Sequence, residues 1–317
     1  MVDYKTQMEQ VIEPFLNKYR KEFWLEREEG KKVFCLRFRR KSPKGVVVIS
    51  HGFTENEEKY KENIYRFLKK NYTVYFMEHC GHGRSYRLVE DWSLVHVDRF
   101  ERYVADFLML AHLAKVENPK YPLYLFGHSM GGGIAAAAVT REPDLFDKVV
   151  LSSPMIRLYT GKIPYHDARL LAKSCCMTGK AEQYVAGYEP YRGTGTLEHS
   201  SSMRQDQYDY YQEIRSREQM FQTNAPSYGW MYETDRLYRY LRKYAAKNIR
   251  IPVLLFQAEQ EHLVSKRAQK RFIVRLRKAG LASAKLVHVR GSRHEAFNAT
   301  EGIREAFWRR VFRFLEE

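Results

Sequence analysis

The chain has 317 residues, 44% hydrophobic and 29% charged, with 18 Gly and 10 Pro; at about 100 to 200 residues per domain this allows one large domain or a core with one substantial insertion, and it excludes collagen-like and wholly disordered chains. Lys plus Arg number 54 against 38 Asp plus Glu, a net charge of +16, so some face carries a positive potential and anionic partners are favoured. Cys35, Cys80, Cys175 and Cys176 write neither a disulfide framework nor a CxxC motif, and no stretch has the length of a membrane span or the pattern of a signal peptide, so the expectation is a cytoplasmic protein.

Met8, Val11, Ile12, Phe15, Leu16 and Tyr19 recur at helical spacing and predict an amphipathic helix over residues 5–19, bent at Pro14. Short β-type runs follow at 23–25, 33–38, 46–50 and 73–77, with a helix over 57–70 before the last. A helix over 99–115, a strand over 123–126, a helix over 130–139 and a strand over 148–152 continue the alternation. The dense basic run Arg37, Arg39, Arg40, Lys41 and Lys44 reads as a solvated strand end or as a docking patch for lipid or nucleic acid. After Pro154 the rhythm stops. Residues 155–249 show no clear strand and hold 13 of the 23 tyrosines, which marks them as compositionally distinct. The alternation then resumes with a strand over 252–256, a helix over 266–279, a strand over 284–289 and a helix over 300–315. This βαβ rhythm predicts an α/β fold, a mostly parallel sheet covered by helices on both faces. Residues 1–154 and 250–317 form its core, and 155–249 an insertion.

The sharpest signal is Gly127-His128-Ser129-Met130-Gly131, a GxSxG set between an apolar strand and a small-residue helix. A serine on such a turn is held in a strained conformation, its glycine neighbours lack side chains that would collide, and its hydroxyl lies over a helix N-terminus that favours negative charge. Serine needs a base and an orienting acid, which in such sites follow in chain order acid, then histidine. Of eleven histidines, His294 alone lies in a loop just after a late strand with a terminal helix to come; His199, His262 and His288 are the other late candidates. The acid is expected after the strand ending near Phe256, where Gln257-Ala258-Glu259-Gln260-Glu261-His262 offers two carboxylates. Glu261, deeper in the loop, is preferred and Glu259 is the reserve. Ser50-His51-Gly52-Phe53 follows a strand directly, so the amides of Phe53 and Met130 are the expected pair of oxyanion donors, with His51 fixing the loop. Glu78 to Ser85 is glycine-rich but has neither a P-loop Lys-Ser/Thr pair nor a GxGxxG; it reads as a turn buttressing the site.

These motifs together resemble the α/β-hydrolase superfamily and, within it, the lysophospholipase and monoacylglycerol lipase-like serine hydrolases. The turn at His51-Gly52 with Glu55 and Tyr60 behind it is similar to the family's HGxGE…Y segment, with Thr54 for the second glycine and Asn56 for a usual histidine. Glu78 to Ser85 resembles DHxGHGxS with Glu for Asp, and Gly127 to Gly131 matches fully. Monoacylglycerol lipases usually carry Asp at the position of Glu261, whereas the QAExE form and Asn224-Ala225-Pro226-Ser227-Tyr228-Gly229-Trp230 look like bacterial lysophospholipases. The resemblance implies an α/β-hydrolase fold with 155–249 as a cap, whose Tyr208, Tyr210, Tyr211, Phe221, Tyr228 and Trp230 offer either an acyl-chain wall or the cap's own small core. It further implies cleavage of a lysophospholipid acyl ester by a Ser129-His294-Glu261 triad, with no cofactor and no metal required. Monoacylglycerol lipase, carboxylesterase and peptidase activities stand as alternatives, as does a catalytically silent basic protein binding a membrane or nucleic acid. Lysophospholipid or monoacylglycerol is the expected partner, with peripheral contact at an anionic inner membrane face and no nucleic acid.

Overall fold

The computed structural model describes residues 3–193 and 195–317. The chain enters through one bent helical run of α1 (Tyr4–Gln7), a π-helical turn (Met8–Ile12) and α2 (Glu13–Asn17). Pro14 has no N–H to donate, and the wider turn upstream of it absorbs that missing bond without a break. Met8, Ile12 and Leu16 are buried, whereas Val11 is half exposed.

Next come β1 (Arg20–Glu28), β2 (Lys31–Phe38), β3 (Val46–Ser50), α3 (Glu57–Lys69) and β4 (Thr73–Met77). β1 is nine residues long where the sequence predicted three, because it is an edge strand with little buried surface and its charged residues mask the pattern. The short β5 (Leu94–Val95), α4 (Phe100–Glu117), β6 (Leu123–His128), α5 (Ser129–Arg141) and β7 (Lys148–Ser152) follow. Residues 155–249 then carry α6 (Tyr165–Met177), α7 (Gln205–Arg217), β8 (Ala225–Pro226) and α8 (Tyr228–Asn248). Contrary to the expectation of no strand here, β8 pairs in parallel with β5; two residues are too few to leave a period in the sequence. The chain ends with β9 (Val253–Gln260), α9 (Lys266–Lys278), β10 (Ala284–Arg293) and α10 (Glu301–Glu316).

Eight strands form one sheet in the order β1-β2-β4-β3-β6-β7-β9-β10. β2 pairs antiparallel with β1 and β4, and all other neighbours are parallel. Alternate residues of the central strands feed two cores. Val46 and Val48 join one beneath α4, α5, α8 and α9, and Val47 and Ile49 join the other beneath α3, α10 and the N-terminal helix. A strand buried on both faces has no polar side to show, which is why these strands read as continuous apolar runs. β9 and β10 each run four residues past their expected ends. The register shifts between Val289 and Arg293, where Gly291 adopts φ +72°, and that irregularity hid the continuation.

Candidate active site

Ser129 stands where β6 meets α5, with φ +50°, a conformation that costs an L-residue roughly 1–2 kcal/mol. The close approach around it explains the flanking glycines. A Cβ on Gly127 would lie 2.7 Å from the Gly131 carbonyl oxygen, and one on Gly131 would overlap the carbonyls of Ser50 and His51. The Ser129 carbonyl accepts from the Met155 amide at 2.7 Å, which ties the turn to the strand end beyond β7.

His294 follows β10 directly, and its Nδ1 donates to Glu261 Oε2 at 2.7 Å. A carboxylate only accepts, so the neutral ring carries its proton on Nδ1 and presents a bare Nε2; that atom is buried without a protein partner. Glu261 Oε1 accepts the amides of Leu263 at 2.9 Å and Val264 at 3.2 Å. Burial pushes the Glu261 carboxyl up, but His294 and these two amides outweigh it and hold the group below its ordinary value. Glu259 lies on β9 itself, not in a loop, and its carboxylate accepts the Gly291 amide at 2.8 Å. His262 lines the recess beside His294 and His288 lies within β10, paired with Gln257 in the sheet register.

The structure brings His294 against the serine turn: its ring lies 4.9 Å from that of His128, the residue before Ser129. No hydrogen bond joins Ser129 Oγ to His294 among the described residues. Among those residues, too, the amides of Phe53 and Met130 donate to no protein acceptor. The Phe53 ring packs 4.4 Å from Trp230 at the start of α8, whereas Tyr228 packs with Ala172 and Val185 and Tyr210 against Tyr4. Of the aromatic residues singled out in the insertion, Trp230 packs tilted against Phe53, and the Tyr211 hydroxyl donates to the Thr54 carbonyl and accepts from the Asn56 side-chain amide of the same loop. A recess of about 420 Å³ opens beside His294, bordered by His199, Ser201, His262 and Arg293.

Behind the site lies a buried charged group of which the sequence singles out only Glu55 and Tyr60. Glu55 Oε2 accepts the Gly52 amide at 2.6 Å and the Tyr60 hydroxyl at 2.7 Å. Lys59 Nζ reaches Glu295 at 2.5 Å and Glu55 at 3.1 Å. Burial pushes Glu55 up, but Lys59, His128 and Tyr60 reverse this and bring it down to about 2. Glu55, His128 and Glu295 each hold a ligand atom within 4.8 Å of the others, and the Lys59 ammonium already neutralises the two carboxylates of this cluster. Lys59 and Glu295 are not singled out in the sequence; they lie 236 residues apart. His51 does fix its loop: Nδ1 donates to the Gly52 carbonyl at 2.7 Å and Nε2 accepts the His79 amide at 2.8 Å. The loop after β4 closes on Glu78, which accepts from the amides of Glu57 and Arg84.

Residues 41–301 match the family described as serine aminopeptidase, S33. The chain belongs to this family. The chain is 27% identical over 296 residues to lysophospholipase L2 of Escherichia coli, covering 89% of this chain and 86% of that one. It is 37% identical over 122 residues to monoacylglycerol lipase of Mycolicibacterium smegmatis, covering 38% and 42%. In fold it is similar to a soluble variant of monoglyceride lipase from Saccharomyces cerevisiae, with a TM-score of 0.76 at 17% identity over 94% of this chain and 95% of that one. The central sheet, its flanking helices and these likenesses make it an α/β hydrolase of the lysophospholipase and monoacylglycerol lipase-like type.

Proposed function

We propose that this serine hydrolase, a carboxylic ester hydrolase, cleaves the acyl ester of lysophospholipids through Ser129, His294 and Glu261. The observation that carries the mechanism is the 2.7 Å bond from His294 to Glu261 beside a serine held at φ +50°. His294 Nε2 takes the Ser129 proton as Oγ attacks the ester carbonyl, and Glu261 holds the imidazole in the needed tautomer and faces the charge that forms. The Phe53 and Met130 amides receive the oxyanion, each such donor contributing about 10²–10³ in kcat. His294 returns its proton to the departing alcohol oxygen. Water, deprotonated by the same imidazole, then releases the fatty acid from the acyl-serine.

Residues 155–249 are read as a cap over the site, with Trp230 against Phe53 and the Tyr211 hydroxyl on Thr54 as contacts with the oxyanion loop. The lysophospholipid preference rests on the likeness to lysophospholipase L2 along nearly the whole chain. The higher identity to a monoacylglycerol lipase over a shorter stretch favours that activity as the second reading. Among the described residues no helix is long and apolar enough to cross a membrane, and a cytoplasmic enzyme working peripherally at an anionic bilayer fits the net charge.

Turnover of lysophosphatidylcholine, lysophosphatidylethanolamine, monoacylglycerols, short esters and aminoacyl amides by one preparation tests the substrate. The lysophospholipids are expected to be cleaved with the highest kcat/KM, and equal or faster turnover of monoacylglycerol would replace the first reading with the second. A fluorophosphonate probe is expected to label Ser129 in the folded protein. Absence of label would favour a silent binding protein on the same scaffold.

A further inference from the structure

The cations of this chain are not evenly matched. On α3, Lys59, Lys61 and Arg66 each pair with a carboxylate. On α9 the residues are KRAQKRFIVRLRK, seven basic side chains and no acidic one. Lys266 and Arg277 spend hydrogen bonds on backbone carbonyls, and among the described residues none of the seven forms an ion pair. The neighbouring α8 carries no carboxylate after Asp235, and there only Arg236 and Arg239 are paired. Arg242 from α8 and Arg271 and Arg275 from α9 border the same narrow cleft between the two helices.

Folding does not account for this pattern. Cations in the last turn of a helix complement its dipole, but Lys266 and Arg267 occupy the first turn of α9, where no acidic residue stands and where positive charge is unfavourable. The apolar faces of both helices are already used in the core through Leu241, Ala245, Phe272, Ile273 and Leu276. What remains outward is charge, with Val274 and Tyr244 exposed among it.

At the head of α9 this basic flank runs into exposed apolar side chains. Leu263 is 50% exposed, Tyr159 52% and Ile163 55%, with Leu170 and Leu171 of α6 close to half exposed. They are held together: the Tyr159 amide donates to the Leu263 carbonyl, the Ser265 amide to the Arg157 carbonyl, and the Arg157 guanidinium stacks on Tyr165 of α6 and Tyr238 of α8. Leu263 lies two residues from Glu261, so the apolar end of the surface adjoins the proposed active site.

We propose that α9, the second half of α8 and this apolar rim form the docking surface for an anionic phospholipid bilayer. Unpaired Lys and Arg attract lipid phosphates, and exposed Leu, Ile and Tyr gain by leaving water for the acyl boundary. A nucleic acid would satisfy the cations but not the aliphatic rim, which is the reason for choosing the bilayer. The proposal rests on the lipid-ester reading only for the advantage of docking beside the site, and its physical basis is independent of it.

Vesicle sedimentation tests it, with the intact protein mixed with phosphatidylcholine vesicles alone or containing phosphatidylglycerol, at low and high salt. Binding is expected only with phosphatidylglycerol and is expected to weaken with salt. Neutralising Arg267, Lys270, Arg271 and Arg275 together to Gln is expected to lower the partition by roughly 100-fold or more. Neutralising Arg39, Arg40, Lys41 and Lys120 to Gln, the same number of charges away from the flank, is expected to change it only a few-fold. Hydrolysis of a short soluble ester stays unchanged in both variants, which shows that they fold. Equal binding to the two vesicles, or an equal loss in the second variant, overturns the proposal. Duplex DNA bound in place of vesicles overturns it in favour of a nucleic-acid face. If vesicles bind as expected but no lipid ester is cleaved, the functional reading fails and the docking surface stands; cleavage of lysophospholipid without vesicle binding gives the reverse.

Discussion

Glu259 and Glu261 are two positions apart on one chain, yet they face different tasks. Glu259 is still in β9, exposed, and closes the end of the sheet by accepting the Gly291 amide. Glu261 has left the strand and is turned inward by the amides of Leu263 and Val264 toward His294. Glu261→Gln puts an amide against Nδ1 and favours the wrong tautomer, so kcat is expected to fall by about 10⁴. Glu259→Gln keeps an acceptor for Gly291 and is expected to cost only a few-fold; the reverse order in a steady-state comparison would reassign the acid. Ser129→Ala and His294→Ala are each expected to lose about 10⁴-fold or more in kcat with substrate binding largely kept, read as single turnovers on the preferred ester. Gly131→Ala offers a backbone counterpart: its methyl has no room beside the carbonyls of Ser50 and His51, so labelling of Ser129 by a fluorophosphonate is expected to disappear although no reacting group was touched.

At the scale of elements, Lys59 on α3 joins the loop after β3 to the segment after β10, because its ammonium bridges Glu55 and Glu295. Glu55 in turn holds the Gly52 amide, one residue before the proposed oxyanion donor Phe53. Removing a buried cation strands the carboxylates it served, so Lys59→Met is expected to cost about 3–5 kcal/mol of stability in urea titrations. Adding Glu55→Gln and Glu295→Gln to that variant is expected to restore most of the loss, and failure to do so would show that the charge balance is not what holds these loops. The bridge also marks the limit of what the sequence disclosed. β3, β4 and β7 were legible to the residue, because strands buried on both faces are short, β-branched and bounded by turns. The strained turn at Ser129 was legible because such strain demands local glycines. The partner of Lys59 was not, since an ion pair leaves no mark on the spacing of residues so far apart in the chain. The true ends of β9 and β10 were hidden by a bulge at glycine, and the β5–β8 pair was too short to show a period.

For the whole molecule, burial at the carboxyl edge of the sheet keeps His51, His79, His82 and His128 neutral, and it lowers the buried His96 as well, so their protons belong to the unfolded chain. Burial lowers His51 to about 4 and, with some opposition from Glu55, lowers His128 to about 4. Burial takes His79 and His82 well below their ordinary value, helped in both by the neighbouring His51. The rings of His79 and His82 lie 4.6 and 5.1 Å from that of His51, so protonating one opposes protonating the next. A histidine with a depressed native pKa contributes stability that is present above its unfolded value of about 6.5 and is lost as pH falls toward the native value, at about 1.4 kcal/mol per unit of difference for each group. Through these histidines the unfolded chain binds more protons in the window from about 6.5 to 4, whereas Glu57, raised to about 7 by burial, holds its proton in the folded chain and offsets about one of them. Stability is therefore expected to fall as pH is lowered across it, through the histidines from about 6.5 downward and with the unfolded carboxylates titrating as well below about 5. Urea midpoints measured from pH 7 to 4.5 check this, and a flat profile would show that these rings are not held neutral. His82→Phe isolates one contributor. That ring packs edge-on to His51 and Phe53 and its Nε2 has no protein partner, so the variant is expected to lower the proton uptake on unfolding at pH 5 by about one, while the loss from the other buried histidines persists.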